Sequence, residues 1–327
     1  MGSEMCIRDR LGTPMLYADS PTVILGADGF FGRNLREYWH ARGWPVYSVG
    51  RAAGDFTDPV AVAAAFRAAP RDARRILHAI TKQRTGKIQY AIQGELLADN
   101  ARIHLNVLDA WRRHLPGAKL ISLGSSCVYP QSPHPIPESA FRSGAPHPSV
   151  HGYALAKELL AIGCETYGAQ YGLSWLHCIL ATSYGPFAHT APERSHFMAA
   201  LIARAARGKA AGDTEFEVWG SPGTVRDLLF VTDQIEAIIA ADAAFSDTIL
   251  NVTTNAPVTI GACAKTLLAV LNWPARIVYP AGSFQGADYK SLDSTRFLAA
   301  TGWRPAVGLA EGVRRTLASD LLQHRIE

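Results

Sequence analysis

The sequence predicts an α/β fold: a doubly wound parallel sheet followed by a smaller α/β domain. Two observations carry this. From Pro21 to Leu180, short apolar runs rich in β-branched residues alternate with amphipathic stretches. That is the pattern of parallel strands covered by helices on both faces. From Ser183 the alternation gives way to helical pieces separated by Gly- and Pro-bearing loops. This part reads as a second unit closing over the carboxyl ends of the strands, where open α/β sheets bind ligands.

The elements follow in order. Pro21–Leu25 is the first strand and runs into Gly26. The amphipathic Phe31–Arg42 is the first helix and stops at Gly43, a residue suited to the left-handed turn after a helix. Pro45–Val49 is the second strand. Asp58 then caps a helix over Pro59–Ala69, with Pro59 at its first position. Arg75–Ala79 is the third strand, Ile88–Leu115 one long helix and Lys119–Leu123 the fourth strand. Pro130–Pro148 holds six of the 19 prolines and is a loop. Gly152–Tyr171 is helical and Leu173–Leu180 a strand, with later helices at His196–Arg207 and Val258–Leu271. The first domain takes residues 15–182 plus about 231–256, the second 183–230 plus 257–327. Residues 1–14 are set aside. The run EMCIRD within them resembles the translation of a sequencing-library adapter, so the segment reads as non-native and disordered, with Met15 the expected native start.

Composition excludes several classes. Hydrophobic residues make up 48% of the 327 and charged residues 18%, too apolar for disorder and enough chain for a large core. The net charge of +4 is mild, and no Lys/Arg block marks a nucleic-acid surface. No apolar run reaches the ~18 residues of a membrane span. Cysteines at 6, 127, 164, 178 and 263 form no C-x-x-C and suit reduced thiols. Of these, Cys164, Cys178 and Cys263 read as core packing. The expectation is a cytoplasmic protein with no nucleic-acid partner, no membrane partner and no metal.

Gly26-Ala27-Asp28-Gly29-Phe30-Phe31-Gly32 is G-x-x-G-x-x-G between the first strand and the first helix. Such a turn brings backbone close to a pyrophosphate and offers it the helix N-terminus. Gly26, Asp28, Gly29, Phe30, Phe31 and Gly32 are therefore candidate dinucleotide contacts. An NAD site places an acid about 20 residues on, for the ribose 2′-OH. The corresponding place reads Ser48-Val49-Gly50-Arg51. The acid is missing and Arg51 suits a 2′-phosphate, so NADP(H) is favoured over NAD(H). Asp55 and Phe56 fall where the chain passes the adenine.

Tyr153-Ala154-Leu155-Ala156-Lys157 places a phenol and an ammonium at i and i+4 on one helix face. The cation is expected to lower the phenol's pKa from ~10 and ready Tyr153 for proton transfer at a carbonyl. A hydroxyl delivered from the strand end Gly124-Ser125-Ser126-Cys127 could polarise the same oxygen.

In order and spacing, the glycine turn, Ser125–Tyr129, Tyr153-x-x-x-Lys157 and Tyr184-Gly185-Pro186 resemble the extended short-chain dehydrogenase/reductase family of nucleotide-sugar epimerases, dehydratases and reductases. The resemblance runs from about Pro21 to the end of the chain. It implies a Rossmann-type sheet with a smaller C-terminal substrate-binding domain, and a catalytic trio of Ser125, Tyr153 and Lys157. It also implies a cofactor side that includes His78, Ala79, Ile80, Lys82 and Asn100. Two places depart from the family pattern. Thr182 stands where an Asn precedes Tyr-Gly-Pro, and His78-Ala79-Ile80 replaces a Gly/Ala-rich strand end.

Gly124–Pro130, Ser195-His196 and Trp219–Asp233 are most similar to one branch, which inverts C3 and C5 and reduces C4 of a GDP-linked 4-keto-6-deoxy sugar. By this likeness Cys127 and His196 are the epimerising acid/base pair. Ser125, Ser126, Cys127, His196, Trp219, Arg226 and Lys290 face the substrate. The chemistry is coherent: a C4 ketone acidifies the neighbouring C–H bonds, and thiol and imidazole exchange protons near neutral pH. The resemblance further implies a homodimer through the two long helices. Three alternatives stay open: an NDP-sugar 4-epimerase, a simple 4-ketoreductase using NAD(P), and a non-catalytic dinucleotide sensor.

Overall fold

The structure is a computed structural model that describes residues 13–85, 87–189, 195–281 and 287–319. Helix α1 (Thr13–Ala18) precedes the first strand. Residues 13 and 14, set aside in the sequence reading, therefore belong to the fold; residues 1–12 lie outside the described residues. Strands β1 (Thr22–Leu25), β2 (Val46–Val49), β3 (Arg75–His78), β4 (Lys119–Leu123) and β5 (Trp175–Leu180) alternate with helices α2 (Phe30–His40), α3 (Pro59–Ala68), α4 (Lys87–Ala91), α5 (Gln93–His114) and α6 (His151–Tyr171). Next come β6 (Thr182–Tyr184), α7 (Phe197–Ala211), β7 (Glu215–Glu217), β8 (Val225–Arg226), β9 (Leu228–Phe230), α8 (Val231–Ala244) and β10 (Thr248–Val252). The described chain closes with β11 (Val258–Thr259), α9 (Ile260–Leu271), β12 (Arg276–Val278), β13 (Tyr289–Lys290), α10 (Thr295–Thr301) and α11 (Leu309–Leu317).

Six strands form one parallel sheet in the order β10-β5-β4-β3-β1-β2. The chain winds outward from β1 to β2, then returns past β1 to β3 and proceeds the other way. The loops after β1 and β3 therefore diverge, and the crevice between them is where a ligand fits. One face of the sheet carries α3, α5 and α6, with Phe66, Val107, Trp111 and Leu160 in its core. The other carries α1, α2 and α8, with Tyr17, Trp39, Ile235 and Ile238. A third core, built on α7, α9 and α11, includes Met198, Phe216, Leu267 and Val313. Phe297 of α10 packs into the sheet's second face, although the sequence reading gave its stretch to the smaller domain.

The stretch read as one helix, Ile88–Leu115, is two. At Ile92 (φ −117°, ψ 29°) the backbone leaves the helix before α5. Here Gln93 meets the start of α6: Nε2 donates to Ser149 O (2.9 Å) and Oε1 accepts from Gly152 N (2.6 Å). A Cβ at Gly152 would stand 2.1 Å from Gln93 O. Glycine thus lets the two long helices meet one residue before Tyr153. No helix among the described residues is long and apolar enough to cross a membrane.

The amino ends of β3 and β4 are held by one buried carboxylate. Asp242 on α8 is paired with Arg75 and with Lys119 (Nζ to Oδ1, 2.8 Å), and accepts from the Tyr17 hydroxyl (2.9 Å). Arg75 also donates to Leu16 O, tying α1 to the sheet. Removing one partner of such a cluster leaves unpaired buried charge. Asp242→Ala is expected to destabilise the fold by about 3 kcal/mol or more, read as a lowered urea midpoint with the slope unchanged.

Candidate active site

The glycine turn closes tightly because its glycines have no side chains. Gly26 has φ +91°, and a Cβ at Gly32 would stand 2.0 Å from Gly26 O. Helix α2 begins directly after Gly29, with no side chain capping its first N–H groups, so those donors are available to an anion. The turn opens on a cleft of about 710 Å³ along the carboxyl ends of β1 to β5. Gly26, Asp28, Gly29, Phe30 and Phe31 line it, as do Arg51, Asp55 and Phe56 after β2 and Ala79, Ile80 and Lys82 after β3. This glycine cradle, with free helix donors and an extended trench beside it, fits a dinucleotide.

Three predicted cofactor residues do not line this cleft. Gly32 serves the packing of turn on helix. Asn100 pins the loop after β3 instead: its Oδ1 accepts from Lys82 N (2.7 Å) and Thr81 Oγ1, and its Nδ2 donates to Lys82 O (2.8 Å). His78 is fully buried and joined to His104 through Nε2 (2.9 Å); the strand's alternation sends it away from the cleft. Thr81, Gln83, Arg84, Thr182 and His189 do line the cleft. None of Thr81, Gln83, Arg84 and His189 belongs to a motif that would have marked it.

Tyr153 and Lys157 rise from the first turns of α6 toward the end of β4, and Ser125 follows that strand. Lys157 Nζ donates to Leu123 O (2.9 Å) and lies 5.9 Å from the centre of the Tyr153 ring. Burial lowers its pKa to about 8, while Cys127 acts the other way. The expected depression of the Tyr153 phenol is not found. Burial raises it well above its usual value, helped by Cys127 and opposed by the Ser125 and Thr81 hydroxyls. Burial thus favours the protonated phenol of Tyr153.

Beside Tyr153 stands the buried Cys127. Lys290, on β13, donates to its Sγ at 3.0 Å. Burial pushes this thiol up, but Lys290, Ser125 and Arg226 outweigh burial, and its pKa falls below that of an ordinary cysteine. Asp227 steadies the Lys290 strand, accepting from Ser291 Oγ (3.1 Å) and Leu292 N (2.7 Å). His196 lines the cleft at the start of α7. The residue is exposed at the cleft. Desolvation first, then Lys290 and His189, hold its pKa below the usual value, so it is neutral at pH 7. Ser126 lines the same end. Arg226 does not line the cleft; its Nη1 donates to Val225 O (2.7 Å), and its charge still acts on Cys127. Trp219 does not line it either. It is 47% exposed, lies under the Arg204 guanidinium at 4.0 Å and donates to Glu217.

The sequence profile of the NAD dependent epimerase/dehydratase family matches residues 22–252. The chain belongs to that family. Probable GDP-L-fucose synthase 1 of Oryza sativa subsp. japonica is 34% identical over 224 residues, 68% of each chain. The NADP-bound GDP-L-fucose synthetase of Naegleria fowleri has a TM-score of 0.83 at 21% identity, over 94% of both chains. A GDP-6-OMe-4-keto-L-xylo-heptose reductase from C. jejuni also reaches 0.83, at 18% identity, over 94% of this chain and 98% of that one. At these two lower identities the likeness is one of fold. This member of the epimerase/dehydratase family is an enzyme of the extended short-chain dehydrogenase/reductase type.

Behind Tyr153 and Lys157, this epimerase/dehydratase buries three histidines. His78 pairs with His104, while His177 Nδ1 meets Ser122 Oγ at 2.7 Å. A Cβ at Gly124 would stand 2.4 Å from His177 Nε2, so the strand end packs directly on that ring. Burial and then the Lys157 charge lower His78 and His177 to about 3 and hold His104 well below its usual value. Each is neutral when folded and titrates near 6.5 when unfolded. Unfolding therefore takes up protons between these values, and stability present above about pH 6.5 is lost as pH falls. The melting temperature is expected to fall slightly from pH 8 to 7, where the buried Lys157 still takes up its proton, and to drop further toward pH 5. A His78→Leu/His104→Leu double variant should show a shallower drop in the same calorimetric series. Separately, Lys290→Met should move the Cys127 thiolate absorbance titration at 240 nm to higher pH, measured against Cys127→Ser.

Proposed function

We propose that this enzyme acts on a nucleotide-linked 4-keto-6-deoxy sugar, GDP-linked in the first instance, inverting C3 and C5 and reducing C4. One observation carries the reading: a lysine-supported Cys127 thiol, a protonated Tyr153 phenol and His196 share one end of a dinucleotide-shaped cleft. A plain 4-epimerase or ketoreductase needs only the phenol and its serine. The relatedness to GDP-L-fucose synthases supports the same substrate class.

In this mechanism Ser125 and Tyr153 hold the C4 oxygen. The Cys127 thiolate takes a proton from the carbon beside the ketone, and electron density moves to that oxygen. His196 returns a proton to the opposite face. The substrate's diphosphate, arriving near Lys290 at the cleft wall, brings negative charge that raises His196 toward a useful acid range. A bound nicotinamide supplies hydride to C4, and Tyr153 delivers its proton to the C4 oxygen. Gly26, Gly29 and the first turn of α2 would hold the dinucleotide's pyrophosphate, with Asp55 and Phe56 beside its adenine. Arg51 speaks for NADP(H); Asp28, which shares its corner, speaks for NAD(H). We also retain the homodimer reading, supported by Leu105 and Tyr171, which leave the long helices α5 and α6 with exposed apolar side chains.

The test is one incubation in deuterated water with reduced cofactor and GDP-4-keto-6-deoxymannose, with the product read by NMR. A fucose-configured product carrying deuterium at C3 and C5 is expected. Reduction without deuterium there would leave a plain 4-reductase, and full activity in Cys127→Ser would remove the thiol from the mechanism.

A further inference from the structure

The sequence lacks an acid where β2 ends, and Gly50 stands there instead. In the fold that place is filled from another strand. Asp28, in the turn after β1, reaches across so that its Oδ2 accepts from Arg51 N at 2.6 Å. A Cβ built on Gly50 would stand 2.2 Å from Asp28 Oδ2 and 2.8 Å from Oδ1. The carboxylate thus occupies the volume a side chain at position 50 would take, and Gly50 is glycine because Asp28 is there. Asp28 and Arg51 both line the cleft, and Oδ2 is the carboxylate oxygen that the Arg51 amide holds, leaving Oδ1 for a ligand.

The cations nearby do not cancel this charge. Arg51 is exposed, and its side chain forms no ion pair among the described residues. Lys82 is committed to Asp99 (3.1 Å) and Asp55 (3.9 Å). A carboxylate fixed at the end of β2 accepts a ribose 2′-hydroxyl and repels a 2′-phosphate, which brings about two negative charges to the same corner. An exposed, unpaired guanidinium offsets that only weakly.

From this juxtaposition we infer that Asp28 is the residue that reads the adenosine ribose of the cofactor, and that it turns the site toward NAD(H), against the expectation drawn from Arg51. This rests on the dinucleotide reading of the cleft. The experiment is an equilibrium titration of the full chain with NADH and with NADPH, followed by nicotinamide fluorescence, for the wild type and for Asp28→Asn. The Asn variant keeps the shape and the acceptor for Arg51 N and loses the charge. The expected result is a shift in the ratio of dissociation constants of about tenfold or more toward NADPH in Asp28→Asn. An unchanged ratio overturns the inference and leaves the dinucleotide reading standing. Failure of both nucleotides to bind overturns both. The wild type alone gives an independent check by competition between 5′-AMP and adenosine 2′,5′-bisphosphate. Equal or tighter binding of 5′-AMP is expected, and a clear preference for the bisphosphate overturns the inference.

Discussion

The inner strands of the central sheet are almost wholly buried on both faces, and much of the molecule follows from that. Residues 22–25 of β1 and all six of β5 are buried, so a ligand can be met only at the strands' ends. Polar side chains within the strands must find partners inside the protein: His78 takes His104, Ser122 takes His177, and Asn251 takes Tyr129 and two backbone carbonyls. At the carboxyl ends the same burial works differently. There it leaves side chains half-desolvated beside a cleft, where small changes of neighbour decide which group holds a proton.

Cys127 is the clearest case. Buried alone it would be as inert as Cys164, whose thiol is pushed up to about 12. Lys290 reverses the direction, and it comes from the far end of the chain. Its position depends on a polar seam around β13. Asp227, itself raised to about 6 by burial, grips Ser291 and Leu292. Asn251 at the end of β10 donates to Ile136 O and Asp293 O, which fastens the proline-rich loop to the same strap. The strand that carries Lys290 thus does more than cover the cleft, because its ammonium lowers the proton affinity of Cys127.

The first five strands and most of the helices were legible from periodicity, since a strand buried on both faces reads as an apolar run and an amphipathic helix repeats every three to four residues. Strand β10 and helix α8 were not singled out. Ten of the 14 residues of α8 are buried, so it lacks the polar face that marks a helix. The break at Ile92 escaped for another reason: nothing local interrupts the pattern, and the cause is the contact of Gln93 with α6. In the cleft, the motif residues Ser125, Cys127, Tyr153, Lys157 and His196 were legible and do line one space. Gly32, His78, Asn100, Trp219 and Arg226 do not line it, because a place in a motif does not say which way a side chain points.

The sequence by itself determined the alternation of strand and helix, the glycine turn, and the identities of the phenol, lysine, thiol and imidazole that meet at one end of the cleft. These are local matters: backbone permissiveness, side-chain periodicity and the intrinsic chemistry of each group. Only the tertiary structure decided which way each group's proton affinity moves. It raised Tyr153 where spacing alone argued for lowering it, gave Cys127 a lysine from more than 160 positions away, and filled the empty place at Gly50 with Asp28. Electrostatic energy depends on distance and on the surrounding dielectric, and neither exists until the chain has folded.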